Sequence, residues 1–186
     1  MKTTVCTRLI RMLTALGLMG AIAVHAGPME DGAAHLKAGR AKEAETAYAQ
    51  VLATSPNEVD ALLGRGRARQ KLGNNAGAAK DFDQAVKLAP KNPEVWQRRG
   101  LFREATSNDG AAALADYNQL VELVPKNPQA YALRAALWLK AEKPKAALVD
   151  AEKIIQLKPD LAQGHALKGF ALEQLALIGP AAESYQ

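Results

Sequence analysis

The pattern that decides the fold lies in residues 90–125, PKNPEVWQRRGLFREATSNDGAAALADYNQLVELVP. The stretch opens and closes on a proline, and prolines recur along the chain at spacings of 34, 35 and 34 residues, at Pro56, Pro90, Pro125 and Pro159. A period of this length is typical of a solenoid whose unit is a helix, a turn and a second helix. The sequence therefore predicts an all-α fold of stacked repeats.

An apolar helical stretch precedes each of the last three prolines. Residues three and four apart share one apolar face in Ala78–Leu88, Ala112–Val124 and Ala146–Leu157, which predicts an amphipathic second helix in each unit. Asn92-Pro93 and Asn127-Pro128 place a capping side chain directly before a proline, an arrangement that favours a helix start. Both helices of a unit can therefore be located from sequence.

Large and small residues occupy fixed positions within the period. Six residues after each proline comes an anchor, and four residues later a small residue, in the pairs Leu62/Gly66, Trp96/Gly100, Tyr131/Ala135 and His165/Gly169. The second helix carries an alanine and, four residues on, a larger filler in most repeats, in the pairs Ala44/Tyr48, Ala78/Phe82, Ala113/Tyr117, Ala147/Ala151 and Ala181/Tyr185. A small residue lets two helices approach closely, and the filler occupies the space between neighbouring units.

With these residues in place, the chain resembles the tetratricopeptide repeat family from about Gly27 to its end. The resemblance implies a right-handed superhelical solenoid of antiparallel helix pairs, with four full repeats and a partial fifth. The expected repeats are 27–58, 59–92, 93–127, 128–161 and 162–186. One extra residue in the third repeat falls in Thr106–Gly110, whose composition predicts a turn that absorbs it.

Residues 1–26 have the pattern of a signal peptide. Lys2, Arg8 and Arg11 precede an apolar run from Met12 to Val24, which is shorter than a helix that spans a bilayer. We expect cleavage after Ala26, location in the periplasm or outside the cell, and no stable membrane anchor afterwards. The only cysteine, at position 6, would leave with this segment, so the mature chain would have no thiol chemistry.

Charge and composition argue against chemistry in the remaining chain. Three of the five net positive charges belong to the signal segment, which leaves too small an excess to favour binding to nucleic acid. His35 and His165 lie at motif positions and are predicted to be packing residues. Because no catalytic constellation or metal motif is recognisable, we expect a protein that is not an enzyme and needs no cofactor.

A basic residue stands directly before the small position, where the family usually has a leucine-like residue. In three repeats an aspartate follows 16 or 17 residues later on the paired helix, giving the pairs Arg65/Asp81, Arg99/Asp116 and Arg134/Asp150. Antiparallel helices would place each pair face to face, so we predict a structural ion pair inside each repeat. An arginine ladder that binds an anionic ligand is the alternative.

The resemblance also implies a concave groove lined by the first helices. Among the residues that it places there are Asp60, Leu63, Gly64, Arg67, Lys71, Gln97, Arg98, Leu101, Leu133, Ala136, Leu139, Ala166, Leu167 and Phe170. The groove is mixed and charged towards the N-terminus and apolar towards the C-terminus, which is typical of a docking surface, although some of these residues could equally be core. We expect a scaffold or adaptor in the bacterial envelope that binds a protein or peptide. The alternative is an oligomer that stacks through the incomplete C-terminal repeat.

Overall fold

The computed structural model describes residues 27–106 and 110–184, with side chains described up to residue 176. The predicted signal peptide therefore lies outside the described residues. The described ranges hold helices and connecting turns with no strand, which confirms the all-α repeat fold. In chain order the helices are α1 Pro28–Lys37, α2 Ala41–Thr54, α3 Val59–Lys71, α4 Asn75–Leu88, α5 Pro93–Thr106, α6 Ala111–Leu123, α7 Pro128–Lys140, α8 Pro144–Leu157 and α9 Ala162–Ser184.

Each helix packs chiefly against its neighbours in the chain. A short turn joins α1 to α2, α3 to α4 and α7 to α8, so the two helices of each pair must run antiparallel. The first helices of successive repeats also meet, since α1 contacts α3 and α3 contacts α5. This stacking brings the first helices together along one surface, where the resemblance placed the groove.

Capping side chains begin several helices where the sequence predicted them. Asn92 Oδ1 accepts a hydrogen bond from the Glu94 amide at 3.0 Å, and Asn127 Oδ1 accepts one from the Gln129 amide at 3.0 Å. Both interactions satisfy amide groups that the first helical turn leaves unpaired. The predicted starts at Asn92-Pro93 and Asn127-Pro128 are thus confirmed.

Aromatic rings fill the space beside the small residues. A Cβ atom added to Gly100 would lie 2.6 Å from Cε1 of Tyr117, and one added to Gly66 would lie 3.0 Å from Cε1 of Phe82. Both rings are almost fully buried. The glycines therefore allow a contact between helix backbone and ring that a larger residue would prevent.

The buried apolar residues form two clusters, one in the first three repeats and one from the third repeat onward. Trp96 on α5 packs against both clusters, and so joins the two halves of the core. Its indole Nε1–H also donates to the Pro90 carbonyl oxygen at 2.8 Å. The anchor of the third repeat thus ties its first helix to the preceding loop and to both clusters.

The last repeat differs from a simple helix pair. The sequence suggested that a second helix begins near Ala181, but α9 continues through this point and ends at Ser184. Proline at position 180 does not end the helix here. The fifth repeat therefore consists of one long helix within the described residues.

Replacing two glycines at the same motif position tests the close approach. Gly100→Ala should lower the free energy of unfolding by about 1–3 kcal/mol, because the new methyl group overlaps the Tyr117 ring. Gly169→Ala should raise it by about 0.5–1 kcal/mol, because no described atom lies within 4 Å of the added Cβ and alanine favours the helix. Urea unfolding followed by circular dichroism measures both changes, and equal effects would contradict the packing argument.

Candidate binding groove and its ionic framework

Buried aspartates on the second helices hold the first helices in place. In the second repeat, Arg65 donates from Nη2 to Asp81 Oδ1 at 2.7 Å and from Nε to Oδ2 at 3.0 Å. Arg69, one turn further along α3, donates to Asp81 Oδ2 at 2.9 Å and to Glu45 Oε1 at 2.8 Å. The predicted pair therefore forms, but within a larger network.

The third repeat has the same arrangement, and its two arginines share a second acidic partner. Asp116 is 1% exposed and accepts from Arg99 Nη2 at 2.7 Å and from Arg103 Nη1 at 3.1 Å. Both arginines also reach Asp83 of the preceding repeat, at 2.9 and 3.3 Å. The same guanidinium groups thus link α5 to the second helix of their own repeat and to the second helix of the repeat before.

The fourth repeat uses an amide in place of the second carboxylate. Arg134 donates from Nη2 to Asp150 Oδ1 at 2.7 Å and from Nη1 to Asn118 Oδ1 at 3.0 Å. In the fifth repeat Lys168 lies 3.2 Å from Glu152, an exposed pair. The sequence reasoning missed these links between repeats, although Asp83, Asn118 and Glu152 each stand two residues after a buried aspartate.

The pKa of Arg99 reflects its interactions within this network. Burial of the guanidinium opposes its charged form, but hydrogen bonds and attraction from Asp116, with a further contribution from Asp83, outweigh it and raise the pKa of Arg99. The hydrogen bond to Asp150 is the largest contribution for Arg134 and, against the opposing effect of burial, raises the pKa of that residue too. Because their charge is already paired, these arginines do not form the anion-binding ladder considered from sequence.

The motif histidines have structural partners. His165 Nε2 donates to the Pro159 carbonyl oxygen at 2.7 Å, the same bond that the Trp96 indole and the Tyr131 hydroxyl make with the prolines six residues before them. His35 Nδ1 accepts a hydrogen bond from Arg40 Nε at 3.1 Å. Both histidines are thus engaged with protein groups. Across residues 27–106 and 110–184, no group of three or more metal-ligating side chains gathers at one point.

The predicted groove residues divide into three groups. Exposed are Lys71, Leu101, Ala136 and Phe170; half-buried are Arg67, Gln97, Arg98, Leu133 and Leu139; buried are Leu63 and Leu167. Leu63 belongs to the N-terminal core cluster and Leu167 to the C-terminal one, so their inclusion in a binding surface is corrected. Each fills the space between neighbouring helices.

The remaining apolar positions form a partly open surface. Leu133 and Leu139 on α7 pack against the C-terminal cluster while keeping part of each side chain accessible. Phe170 on α9 is 58% exposed, and Ala136 on α7 is exposed as well. Towards the N-terminus Arg98 pairs with Glu94 at 3.0 Å, which reduces its availability to a ligand. The C-terminal half thus has the more open apolar surface.

No helix in the described part of the chain combines the length and apolar character needed to cross a bilayer. The described residues form a series of helical repeats, stabilised by a core and an ionic framework that continue from repeat to repeat. This defines its class as an α-solenoid.

The family model of the tetratricopeptide repeat matches residues 31–101. Beyond that segment the structure continues with the helix pair of α7 and α8 and then with the single long helix α9. Residues 31–101 therefore match the tetratricopeptide repeat, as the motif resemblance indicated. No curated protein matches it by sequence.

Solved structures share this fold. MamA from Desulfovibrio magneticus RS-1 has a TM-score of 0.70 at 22% identity, covering 85% of this chain and 89% of that chain. A tetratricopeptide repeat protein from Parabacteroides merdae has a TM-score of 0.72 at 18% identity, covering 80% and 59%. A thermophilic one from Thermus thermophilus has 0.66 at 18% identity, covering 78% and 79%. At these identities the likeness establishes the fold.

Arg99→Ala should destabilise the protein far more than Lys126→Ala. Truncation leaves the buried Asp116 with Arg103 alone and should cost about 2–4 kcal/mol, whereas Lys126 is exposed in a loop and should contribute less than about 0.5 kcal/mol. Thermal and urea unfolding measure the difference. Similar losses for both variants would mean that the framework adds little to stability.

Proposed function

We propose that this protein is a non-enzymatic scaffold of the bacterial cell envelope that binds a protein or peptide through the groove of its first helices. The observation that carries the proposal is the exposed Phe170, together with the partly open Leu133 and Leu139. A large exposed aromatic side chain on the same surface as other accessible apolar groups is typical of a docking surface. The general role of the fold in protein–protein interaction agrees with it.

Two further features support a binding role over catalysis. The ionisable side chains with the strongest interactions join helices to one another, as Asp116 and Asp150 do. Both candidate histidines hold neighbouring protein groups. The proposed envelope location rests on the sequence pattern of residues 1–26, with cleavage after Ala26.

A crosslinking pull-down tests the groove with a matched pair of variants. The protein is expressed from its full coding sequence in a Gram-negative host with a C-terminal affinity tag and is crosslinked in intact cells. Phe170→Asp should remove a captured envelope protein by placing a charge in the apolar surface. Val149→Asp is the control, because Val149 is 65% exposed but lies on α8, a second helix.

The same preparation tests export. The N-terminal residue of the purified protein should be Gly27, and the protein should appear in the periplasmic fraction or the medium. Capture that survives Phe170→Asp would contradict the groove assignment. An intact N-terminus on protein retained in the cytoplasm would contradict the location.

Self-assembly is a second candidate, favoured by the uncovered face of α9. Leu172 is 47% exposed, and no described atom lies within 4 Å of a Cβ placed on Gly169, whereas the equivalent Gly66 and Gly100 meet aromatic rings. A second copy could cover this face. Sedimentation velocity should then show mass that rises with concentration and falls on Leu172→Glu; a monomer throughout the micromolar range would exclude this candidate.

A further inference from the structure

The turns inside the repeats lie along one edge of the solenoid. Consecutive helices are antiparallel, because each connection between them is short, so all the first helices run in the same direction. The turns at residues 38–40, 72–74 and 141–143 therefore share one edge, and the loops between repeats share the opposite one. We name these the turn edge and the loop edge.

Positive charge is concentrated on the turn edge. Within three residues of these turns stand seven exposed cationic side chains, Lys37, Arg40, Lys42, Lys71, Lys140, Lys143 and Lys145. The carboxylates in the same windows are Glu43 and Glu142, and the third repeat contributes Glu104, which the Tyr117 hydroxyl already engages. Around the four loops of the loop edge, by contrast, four lysines stand against five carboxylates. The turn edge is therefore the basic side of the molecule.

These cations do not belong to the ionic framework. Among the described residues, the ion pairs use arginines on the first helices and, at one position, Lys168. None of the seven cations of the turn edge takes part in them. Their charge is therefore open to solvent and to a partner of opposite sign.

Four of the seven oppose the helix dipoles. Arg40 is the N-cap of α2 and Lys42 its second residue, and Lys143 and Lys145 have the same places in α8. A helix start carries partial positive charge and favours a capping side chain that accepts hydrogen bonds, as Asn74 does for α4. Neither Arg40 nor Lys143 makes such a bond. The fold alone favours neutral or acidic residues here, so the positive charge has its reason outside the fold.

Two large apolar side chains stand among the cations. Leu72, in the turn between α3 and α4, is 45% exposed. Trp138 is half-buried near the end of α7, and Lys143 Nζ lies 5.3 Å from the centre of its ring. Tryptophan and lysine are both favoured where an apolar phase meets charged head groups, since each joins an apolar body to a polar end.

We propose that the turn edge is a reversible contact surface for a membrane that contains anionic lipids. Turns from three repeats lie along this edge, so an extended charged surface can meet them together. The lysines are attracted by the negative potential of such a surface, and Leu72 can enter its head-group region. A soluble acidic protein would use the cations but would give no reason for the exposed leucine.

This contact goes beyond the proposed function, because it gives a lipid partner to an edge outside the apolar half of the groove. Phe170, on which the groove proposal depends, does not belong to the turn edge. Lys71 was assigned to the groove from sequence and also ends α3 at this edge, so the variants below leave it unchanged. Membrane contact and capture of a protein can therefore be lost separately.

Vesicle flotation tests the contact. The protein purified for the pull-down is mixed with vesicles of phosphatidylcholine alone, or of phosphatidylcholine with phosphatidylglycerol. It should float with the anionic vesicles and remain in solution with the neutral ones, and added salt should release it because exposed charges are screened. All variants carry the same N-terminus, so residues 1–26, where retained, contribute equally to each.

Two double variants with the same change in net charge form a matched pair. Lys42→Glu with Lys145→Glu reverses charge on the turn edge and should weaken binding to the anionic vesicles at least about tenfold. Lys126→Glu with Lys158→Glu makes the same change on the loop edge and should have a much smaller effect. The first variant should also raise the melting temperature, since glutamate suits a helix start, which separates lost binding from lost folding.

A second pair tests the apolar part of the contact. Leu72→Gln should weaken binding to the anionic vesicles several-fold, because it removes the side chain that enters the head-group region. Leu88→Gln is the control, because Leu88 is 37% exposed but lies beside the loop edge. Circular dichroism should show the same helical content in both variants.

Three results would overturn the contact. Equal flotation with the two kinds of vesicle would show that anionic lipid is not recognised. Equal binding of the two lysine variants would remove the role of the turn edge. Binding that depends on the lysines but is unchanged in Leu72→Gln would assign the edge to a soluble acidic partner instead. The Phe170→Asp pull-down decides the groove proposal independently of all three.

Discussion

The structure depends on an aspartate carboxylate that is buried inside each of three helix pairs and is paired there with an arginine. Asp81, Asp116 and Asp150 are almost fully buried, and an unpaired carboxylate there would cost several kcal/mol. Arginines on the facing first helix supply bidentate partners at 2.7 Å. Because two oxygens and a planar guanidinium must align, the interaction fixes the relative position of the two helices more narrowly than apolar contact would.

The same guanidinium groups carry this constraint from one repeat to the next. Arg99 binds Asp83 and Arg134 binds Asn118, each two residues after the buried aspartate of the previous repeat. Trp96 joins the two core clusters at the centre of this series. The stacking is thereby specified by polar groups as well as by shape, and the first helices are left with a surface that need not contribute to the framework.

The proposed binding role rests on a side chain that the framework does not use. Phe170 is 58% exposed although it is apolar. A large exposed aromatic side chain is typical of a docking surface, which agrees with the proposed role.

The sequence by itself determined the repeat, the helix starts at Asn92 and Asn127, and which helices pair, because proline spacing and capping act through local backbone geometry. The sequence also identified Arg99 and Asp116 as facing residues, since the residues between them complete one helix, a turn and the start of the antiparallel helix. The burial of Leu63 and Leu167 was decided only in the tertiary structure. Groove positions and core positions recur with the same helical period, so the sequence pattern does not distinguish them. The reach of Tyr48 between two glycines likewise required three helices from two repeats to meet, and no local pattern encodes that approach.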